Sequence, residues 1–184
     1  MISAADSTDL SEAPSTVLVV GKTGMLRGAV DELLASGRTV ILVARRASAV
    51  EDSRAGRLIT VAADWERPEQ FGDAVRRATR NVDVGAALLW IHQPYRDQVT
   101  RELKNVLSAD AVVVRLWGSS GSYPAEQARA AVRLEGRRMC DVYLGSVTEA
   151  RGWRWLTDKE ISSGALRALV GTDAESAIGE LVPR

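Results

Sequence analysis

TVLVVGKTGM, residues 16–25, joins an apolar run to a glycine-rich turn. Residues 16–20 form a continuous apolar stretch of the kind that a strand covered on both faces requires. After the turn, Leu26 and later apolar residues recur at helical spacing until Gly37, a residue type that commonly follows the last turn of a helix. The segment therefore predicts a strand, a tight turn and a helix in succession.

The same alternation continues along the chain. Further apolar runs predict strands at residues 39–44, 58–62, 84–91, 111–117 and 139–147. Helical spacing predicts helices at residues 68–79, 94–107 and 124–134, and a capping box formed by Thr157 and Glu160 begins a last one. Alternating strands and helices indicate parallel pairing. We therefore predict an α/β fold, a single Rossmann-like doubly wound parallel sheet of about six strands with helices on both faces.

Length and composition are those of one ordinary globular domain. The chain has 184 residues, of which 46% are hydrophobic and 26% are charged, enough to bury a core without disulfides. Residues 1–15 are rich in Ser, Ala and acidic side chains and are interpreted as a disordered tail. Residues 16–180 form the predicted domain, and residues 181–184 match what thrombin leaves of an engineered cleavage site.

Charge and cysteine content limit the kinds of partner and cofactor that we expect for this chain. The 24 Lys and Arg residues are balanced by 24 Asp and Glu residues, which argues against a nucleic-acid partner. No apolar run reaches the roughly 18 residues of a membrane span, and the N-terminus lacks the basic start and apolar centre of a signal peptide, so we expect neither membrane insertion nor secretion. The single cysteine, Cys140, cannot form an internal disulfide, and no cluster has metal-site spacing. We expect a cytoplasmic protein, without a metal, that acts on a small molecule; a homodimer stays open.

Two interpretations compete for the triplet at residues 21–23. It also ends a nucleoside-triphosphate P-loop, but that motif needs a glycine where Thr16 stands. The better match is Gly21, Gly24 and Gly28 between the first strand and first helix, where a dinucleotide pyrophosphate meets backbone amides. The alternative is a glycine turn without a ligand. The residues expected to bind the dinucleotide are Gly21, Lys22, Thr23, Gly24 and Met25.

The residues after the second strand indicate which dinucleotide binds. An NAD site places a carboxylate there for the ribose 2′-hydroxyl, whereas this chain has Arg45 and Arg46 and no carboxylate before Glu51. Guanidinium groups suit a 2′-phosphate, and Lys22 could reach the same group. The prediction is therefore an NADP(H) site, with a solvated basic turn as the alternative.

These features together resemble the short-chain dehydrogenase/reductase superfamily, in a small and atypical branch. The resemblance rests on the glycine loop, the arginines after the second strand, Asp64 after the third and the capping box of the last helix, and it covers roughly residues 16–170. It implies a Rossmann core, a nicotinamide cofactor and a hydrogen bond from the adenine ring to Asp64. The alternative role for Asp64 is to end a strand or cap a helix.

The superfamily's catalytic signature is incomplete in this chain. Its members carry a serine after the fifth strand and a Tyr-x-x-x-Lys pair further on, in which the lysine lowers the tyrosine pKa. Ser119 and Ser120 match the serine position, but Tyr123 follows too closely and Gln127 stands where the lysine belongs. No lysine occurs between Lys104 and Lys159, so the usual acid/base pair is absent.

Other polar residues after the strands are therefore candidates for catalysis. Ligands of open α/β sheets bind beyond the carboxyl ends of the strands, where His92, the only histidine, Ser119, Ser120 and Tyr123 are expected. His92 could donate a proton near neutral pH, or it could be a structural hydrogen-bonding residue. The serines have an equal alternative as plain loop residues.

Tryptophans also follow the strands. All five are expected at the same edge of the sheet, either as an aromatic rim over the cofactor or as plugs at the ends of the core. Arg115 stands inside an apolar strand, so we expect it to pair with a carboxylate or to hold a substrate anion. The five tryptophans are Trp65, Trp90, Trp117, Trp153 and Trp155.

Two functions follow from these residues. The first hypothesis is an enzyme, an NADP(H)-dependent oxidoreductase acting on a small carbonyl, imine or conjugated alkene, with His92 or a serine supplying the proton. The second is a non-catalytic NADP(H)-binding sensor or scaffold, motivated by the missing tyrosine and lysine. A Rossmann domain without any ligand is the third.

Overall fold

A computed structural model describes residues 8–21, 24–47, 57–118, 124–150 and 152–181. Within these ranges strands and helices mostly alternate, as the apolar periodicity predicts, and consecutive strands occur at residues 39–62 and 138–155. The strands are β1 (Thr16–Val20), β2 (Thr39–Ala44), β3 (Leu58–Ala62), β4 (Val84–Leu89), β5 (Leu107–Trp117), β6 (Arg138–Leu144), β7 (Ser146–Glu149), β8 (Gly152–Trp155) and β9 (Glu175–Ile178). The helices are α1 (Arg27–Ala35), α2 (Pro68–Ala78), α3 (Arg96–Leu103), α4 (Pro124–Ala130) and α5 (Asp158–Val170).

The central sheet is parallel and has seven strands in the order β3-β2-β1-β4-β5-β6-β9. All five residues of β1 are buried because it is flanked by strands on both sides and by helices above and below. Thr16 pairs with Thr39 of β2, and Val20 pairs with Leu89 of β4. This order confirms the predicted doubly wound sheet.

Helices cover both faces of the sheet. The apolar sides of α1 and α5 pack with Val19 and Leu88 on one face. Those of α2 and α3 pack with Leu18 and Leu89 on the other. No helix in the described part of the chain is both long and apolar enough to cross a membrane. Cys140 is buried in β6, where it fills space in the core as expected for an apolar strand position.

The sheet has one strand more than the predicted six, and the predicted strand at 139–147 is two strands. It breaks at Gly145, where the backbone of Glu180 lies so close that a side chain would overlap it. β7 then pairs with β8 in an antiparallel hairpin. β9 is a short edge strand with three of four residues at least partly exposed, so it lacks the apolar run by which the other strands are recognised.

Part of the predicted disordered tail is packed. Leu10 and Ala13 are buried, and the amide of Thr39 donates a hydrogen bond of 2.9 Å to the carbonyl of Ser15. The guanidinium of Arg38 donates to the carbonyl oxygens of Leu10 and Ser11, at 2.6 and 2.7 Å. The prediction was therefore wrong for residues 8–15, because two apolar side chains and one arginine suffice to hold this segment; residues 1–7 lie outside the described ranges.

Candidate active site

The strand order places a crevice between the carboxyl ends of β1 and β4. From β1 the chain proceeds outward to β2 and β3, and it then returns to β4 on the opposite side of β1. Helices that leave neighbouring strands toward opposite faces open a crevice at this point, which is where ligands of open α/β sheets bind. Gly21 follows β1 and Trp90 follows β4, so both lie at this edge.

Gly21 and Trp90 are in direct contact. Gly21 has a φ of +154°, and a Cβ atom added to it would lie 3.0 Å from the Cβ of Trp90. The amide of Trp90 donates to the carbonyl of Val20 at 2.8 Å, which fixes the indole beside the turn. Trp90 is only 9% exposed, and its Nε1 has no hydrogen-bond partner within the described residues. The indole N–H of Trp90 is therefore a buried donor without an acceptor among the described residues, and Trp90 lies next to Gly21.

The N-terminus of α1 has no side-chain cap, although the amide of its first residue, Arg27, donates to the carbonyl of Gly24 at 3.0 Å. Leu26 occupies the N-cap position and provides no side-chain hydrogen bond, and the first turn contains no acidic residue. Gly24 is exposed beside it. Uncapped amides and the helix dipole both favour a negatively charged group here.

Gly28 serves packing and does not face this opening. A Cβ atom on Gly28 would lie 3.1 Å from the Cβ of Ser162 in α5. The hydroxyl of Ser162 donates to the carbonyl of Met25 at 3.0 Å, so α1 and α5 lie close together. Of the predicted loop residues, Gly21 and Gly24 lie between β1 and α1, Met25 packs partly buried against the core beneath α1 and α5, and Lys22 and Thr23 lie outside the described residues.

An acidic residue distant in sequence borders the glycine loop. A carboxylate oxygen of Asp158, the first residue of α5, lies 3.6 Å from the position of a Cβ on Gly24. Its negative charge opposes a pyrophosphate at the same place. Its position in the sequence gave no signal, because α5 begins 134 positions after Gly24.

The residues predicted to bind the adenosine half of the dinucleotide follow β2 and β3. Arg45 and Arg46 follow β2 directly, are exposed, and form no ion pair within the described part of the chain. Asp64 follows β3, and its Oδ1 accepts a hydrogen bond of 3.1 Å from the amide of Glu66. Asp64 therefore shapes the turn that leads into α2, while the adenine contact stays a prediction.

His92 is exposed at the carboxyl edge, two residues after Trp90. Its ring centroid lies 5.1 Å from the indole of Trp90 in an edge-to-face arrangement and 6.2 Å from that of Trp65. It is thus fixed between two aromatic side chains next to the crevice. Ser119, Ser120 and Tyr123 lie outside the described residues.

The five tryptophans do not form one exposed rim. Trp65, Trp90 and Trp117 are buried and close the ends of the core, as the alternative interpretation held. Trp153 and Trp155 are 63% and 53% exposed on the β7–β8 hairpin, with ring centroids 5.1 Å apart. The difference arises because β7 and β8 form a separate two-stranded sheet outside the central one.

Arg115 is paired with a carboxylate. Its guanidinium donates to both oxygens of Asp141, at 2.7 Å from Nε and 2.8 Å from Nη2, and its Nη1 donates to the carbonyl of Val132 at 2.9 Å. Trp117 Nε1 donates to the same carboxylate at 2.7 Å. The substrate-anion alternative for Arg115 is therefore wrong, because the group is fully used within the core.

Arg96 was not singled out from the sequence. It is the first residue of α3, is 8% exposed, and its guanidinium carbon lies 3.8 Å from the ring centroid of Trp117. Its Nε donates to the carbonyl of Ile91 at 2.9 Å. Burial, with a smaller effect of Arg115, lowers the pKa of Arg96 to about 10. Its place just after β4 was the only available signal.

Solved short-chain dehydrogenases have the same fold. A family member from Francisella tularensis aligns with a TM-score of 0.68 at 16% identity over 91% of this chain and 98% of that chain. One from Burkholderia cenocepacia, in complex with NADP, aligns with a TM-score of 0.66 at 19% identity over 91% and 89%. One from Leptospira borgpetersenii, with bound NAD+, aligns with a TM-score of 0.61 at 11% identity over 94% of each chain.

No family model matches the sequence, and no curated protein matches it closely. The structural likeness alone shows that the chain has the fold of the short-chain dehydrogenase/reductases, which is the fold that the sequence resemblance implied. Within the described residues, no group of three or more His, Cys, Asp or Glu side chains could hold a metal ion.

Proposed function

We propose that the protein is an NADP(H)-dependent oxidoreductase that reduces a small carbonyl, imine or conjugated alkene in the cytoplasm. The observation that carries the proposal is the cradle at the crevice: Gly21 packed against Trp90, beside the uncapped N-terminus of α1. The fold supports it, since relatives of that fold are described in complex with NADP or NAD+.

The described residues fit a dinucleotide in two respects. A side chain at Gly21 would collide with Trp90, so this turn requires a glycine, as a phosphate loop does, and the buried Trp90 Nε1 lacks an acceptor that a phosphate or ribose oxygen could provide. The negative charge of Asp158 beside Gly24 would repel the pyrophosphate and so lower the affinity for the dinucleotide. The amides of α1 and the Trp90 donor would hold the phosphates against this repulsion.

Specificity for the 2′-phosphate is assigned to Arg45 and Arg46. Both are exposed directly after β2, and neither has an ion pair with the described residues that it would have to break in order to bind a phosphate. A phosphate accepts strong charge-assisted hydrogen bonds from guanidinium groups. Asp64 would accept a hydrogen bond from the adenine ring through its second oxygen.

His92 is assigned as the proton donor. A bound NADPH would provide a hydride for the substrate carbon, and the protein would provide the proton. An imidazolium at His92 then gives its proton to the oxygen, nitrogen or carbon that gains negative charge, and the neutral imidazole regains a proton from water. Trp65 and Trp90 hold the ring at the edge of the crevice.

Calorimetric titration with NADPH, NADP+, NADH and NAD+ tests cofactor binding. We expect NADPH to bind best, and Arg45→Ala or Arg46→Ala to weaken it about tenfold without changing NADH binding. Arg80→Ala is the matched control, since Arg80 is exposed after α2 at the other end of the strands. Absence of binding by all four nucleotides would sink the proposal.

Two observations favour a second candidate, a non-catalytic NADP(H) sensor or scaffold. The sequence lacks the tyrosine and lysine pair of the superfamily, and Trp90 and Trp117 bury the strand ends. His92→Ala separates the two functions once a substrate is identified: we expect NADPH binding to persist and turnover to fall about 100-fold. Unchanged turnover in His92→Ala would show that His92 is not the proton donor. If the protein binds NADPH but turns over no carbonyl, imine or alkene, that result favours the sensor or scaffold.

A further inference from the structure

Arg96 is a buried cation that the proposed function does not yet use. Its guanidinium is stacked on Trp117 and fixed by the hydrogen bond from Nε to Ile91. Its Nη1 is buried and has no hydrogen-bond partner within the described residues. A buried guanidinium donor without an acceptor carries a desolvation cost that the fold leaves uncompensated.

Charges around Arg96 do not neutralise it. Arg115 takes both oxygens of Asp141, and Arg133 adds a third contact to that carboxylate at 3.3 Å. The carboxylate of Asp97, next in sequence, accepts the amide of Val132 at 3.1 Å. Three arginines, at positions 96, 115 and 133, therefore lie near only two carboxylates, those of Asp97 and Asp141. Each carboxylate already accepts a hydrogen bond from a group other than Arg96.

The position of Arg96 is that of a ligand-binding residue. Ile91 lies just after β4 and Trp117 is the last residue of β5, so the guanidinium bridges two neighbouring strands at their carboxyl ends. His92, the assigned proton donor, directly follows Ile91. A group bound at Arg96 would thus lie at the same edge of the sheet as the proposed chemistry.

We propose that Arg96 binds the carboxylate of an anionic ligand at the carboxyl ends of β4 and β5, which makes the substrate an oxo acid or a related carboxylate-bearing compound. The orientation of the guanidinium is already fixed by stacking and by Ile91, and its Nη1 is the donor left for a carboxylate to accept from. The same ligand supplies the acceptor that Nη1 lacks. As a statement about the substrate, this inference rests on the proposed function.

The binding step is tested without any nucleotide. Tryptophan fluorescence is followed while sodium acetate is added at constant ionic strength, because Trp117 lies directly against Arg96. We expect saturable binding in the millimolar range for acetate and none for acetamide, which has the same shape without the charge. Arg96→Gln should weaken acetate binding about tenfold or more, as expected for loss of a charge-assisted hydrogen bond.

Arg133→Gln is the matched control. Arg133 is a nearby cation whose side chain is half-exposed, so its loss lowers the local charge without removing the Arg96 donor, and acetate binding should persist. If Arg96→Gln does not fold by circular dichroism, Arg96→Lys replaces it and should also lose binding, because an ammonium lacks the planar pair of donors.

The outcomes separate this inference from the proposed function. Absence of acetate binding, or binding that Arg96→Gln and Arg96→Lys leave unchanged, overturns the inference even if NADPH binds. Acetate binding that depends on Arg96 supports the anion site even if NADPH does not bind, and in that case only the assignment to a reductase substrate fails.

Discussion

At the residue scale, Gly21 meets two constraints at once. Its φ of +154° is unfavourable for residues with a side chain, and the space where a Cβ would lie is taken by Trp90 at 3.0 Å. The sequence singled out Gly21 as a phosphate-loop glycine, which needs no knowledge of Trp90. The contact between them depends on the pairing of β1 with β4 and was not predictable from local sequence.

Gly21→Ala tests these two constraints. We expect the free energy of unfolding to fall by about 2 kcal/mol, from backbone strain together with the displaced indole. Gly152→Ala is the control, because Gly152 also has a positive φ, +139°, but no atom lies within 4 Å of its added Cβ. Urea denaturation should show the larger loss at Gly21; equal losses would mean that the Trp90 contact contributes little.

Asp158 provides a second prediction at this scale. Replacing it by Asn removes a negative charge beside Gly24, so NADPH should bind several-fold more tightly, equivalent to about 1 kcal/mol at an exposed site. Calorimetry on Asp158→Asn measures this. Asp110→Asn is the control, since Asp110 is an exposed carboxylate near the start of β5. Unchanged affinity at Asp158→Asn would place the pyrophosphate away from Gly24.

At the element scale, the β7–β8 hairpin is tied to the start of α5. Thr157 and Glu160 form the predicted capping box, with hydrogen bonds of 3.2 Å and 2.8 Å to each other's backbone amides. Arg154 of β8 donates to both oxygens of Glu160, at 2.8 and 3.0 Å, and to Glu149 of β7 at 2.6 Å. The capping box was predictable from four adjacent residues, whereas the hairpin and its arginine were missed.

This arrangement predicts an acid-dependent loss of stability. Hydrogen bonds from Arg154 and from the amide of Thr157 lower the pKa of Glu160 to about 2, from an ordinary value of 4.5. Because the folded pKa lies below the unfolded one, the stabilisation is fully present above about pH 4.5 and is lost as the pH falls toward 2. Chemical denaturation at pH 7, 4.5 and 3 should show a smaller decrease for Glu160→Gln than for the unmodified protein.

Glu149→Gln is the comparison for that experiment. Glu149 contacts the same arginine but is more exposed, with 56% of its side chain accessible against 35% for Glu160. We expect it to follow the pH dependence of the unmodified protein. Identical pH profiles for Glu160→Gln and the unmodified protein would show that the ion pair does not persist in solution.

At the scale of the whole molecule, Asp141 joins elements that are distant in sequence. Its carboxylate in β6 accepts hydrogen bonds from Arg115 and Trp117 of β5. Arg115 also donates to the carbonyl of Val132, which follows α4. The buried pair of Arg115 and Asp141 therefore links β5 and β6 to the segment after α4.

Asp141→Asn should be among the most destabilising single substitutions in the protein. It leaves the buried Arg115 charge without its counterion, which typically costs about 3–5 kcal/mol. Arg133→Gln is the control, because Arg133 contacts the same carboxylate from a half-exposed position and should cost less than about 1 kcal/mol. Urea denaturation compares them, and similar small losses would show that solvent reaches Arg115.

Most elements of the fold were predictable because their signals are local. The bounds of β1, β2 and β3 match the apolar runs, and α2 differs by one residue at its end. The predicted helix at 94–107 is four residues shorter at its C-terminus because Leu107 pairs with Val84 and begins β5. That pairing joins positions 23 residues apart, so the local pattern could not reveal it.

The sequence by itself determined the parallel doubly wound sheet, the glycine turn after β1, the arginines after β2 and the capping box of α5. Each of these depends on residue types at short spacing, which local backbone and burial preferences fix. Only the tertiary structure decided that Trp90 lies against Gly21, that Asp158 borders the glycine loop, that Arg115 is neutralised by Asp141 and that Arg96 is not. These pairings join strands and helices far apart in the chain, and they follow from sheet order and side-chain packing, which local sequence does not encode.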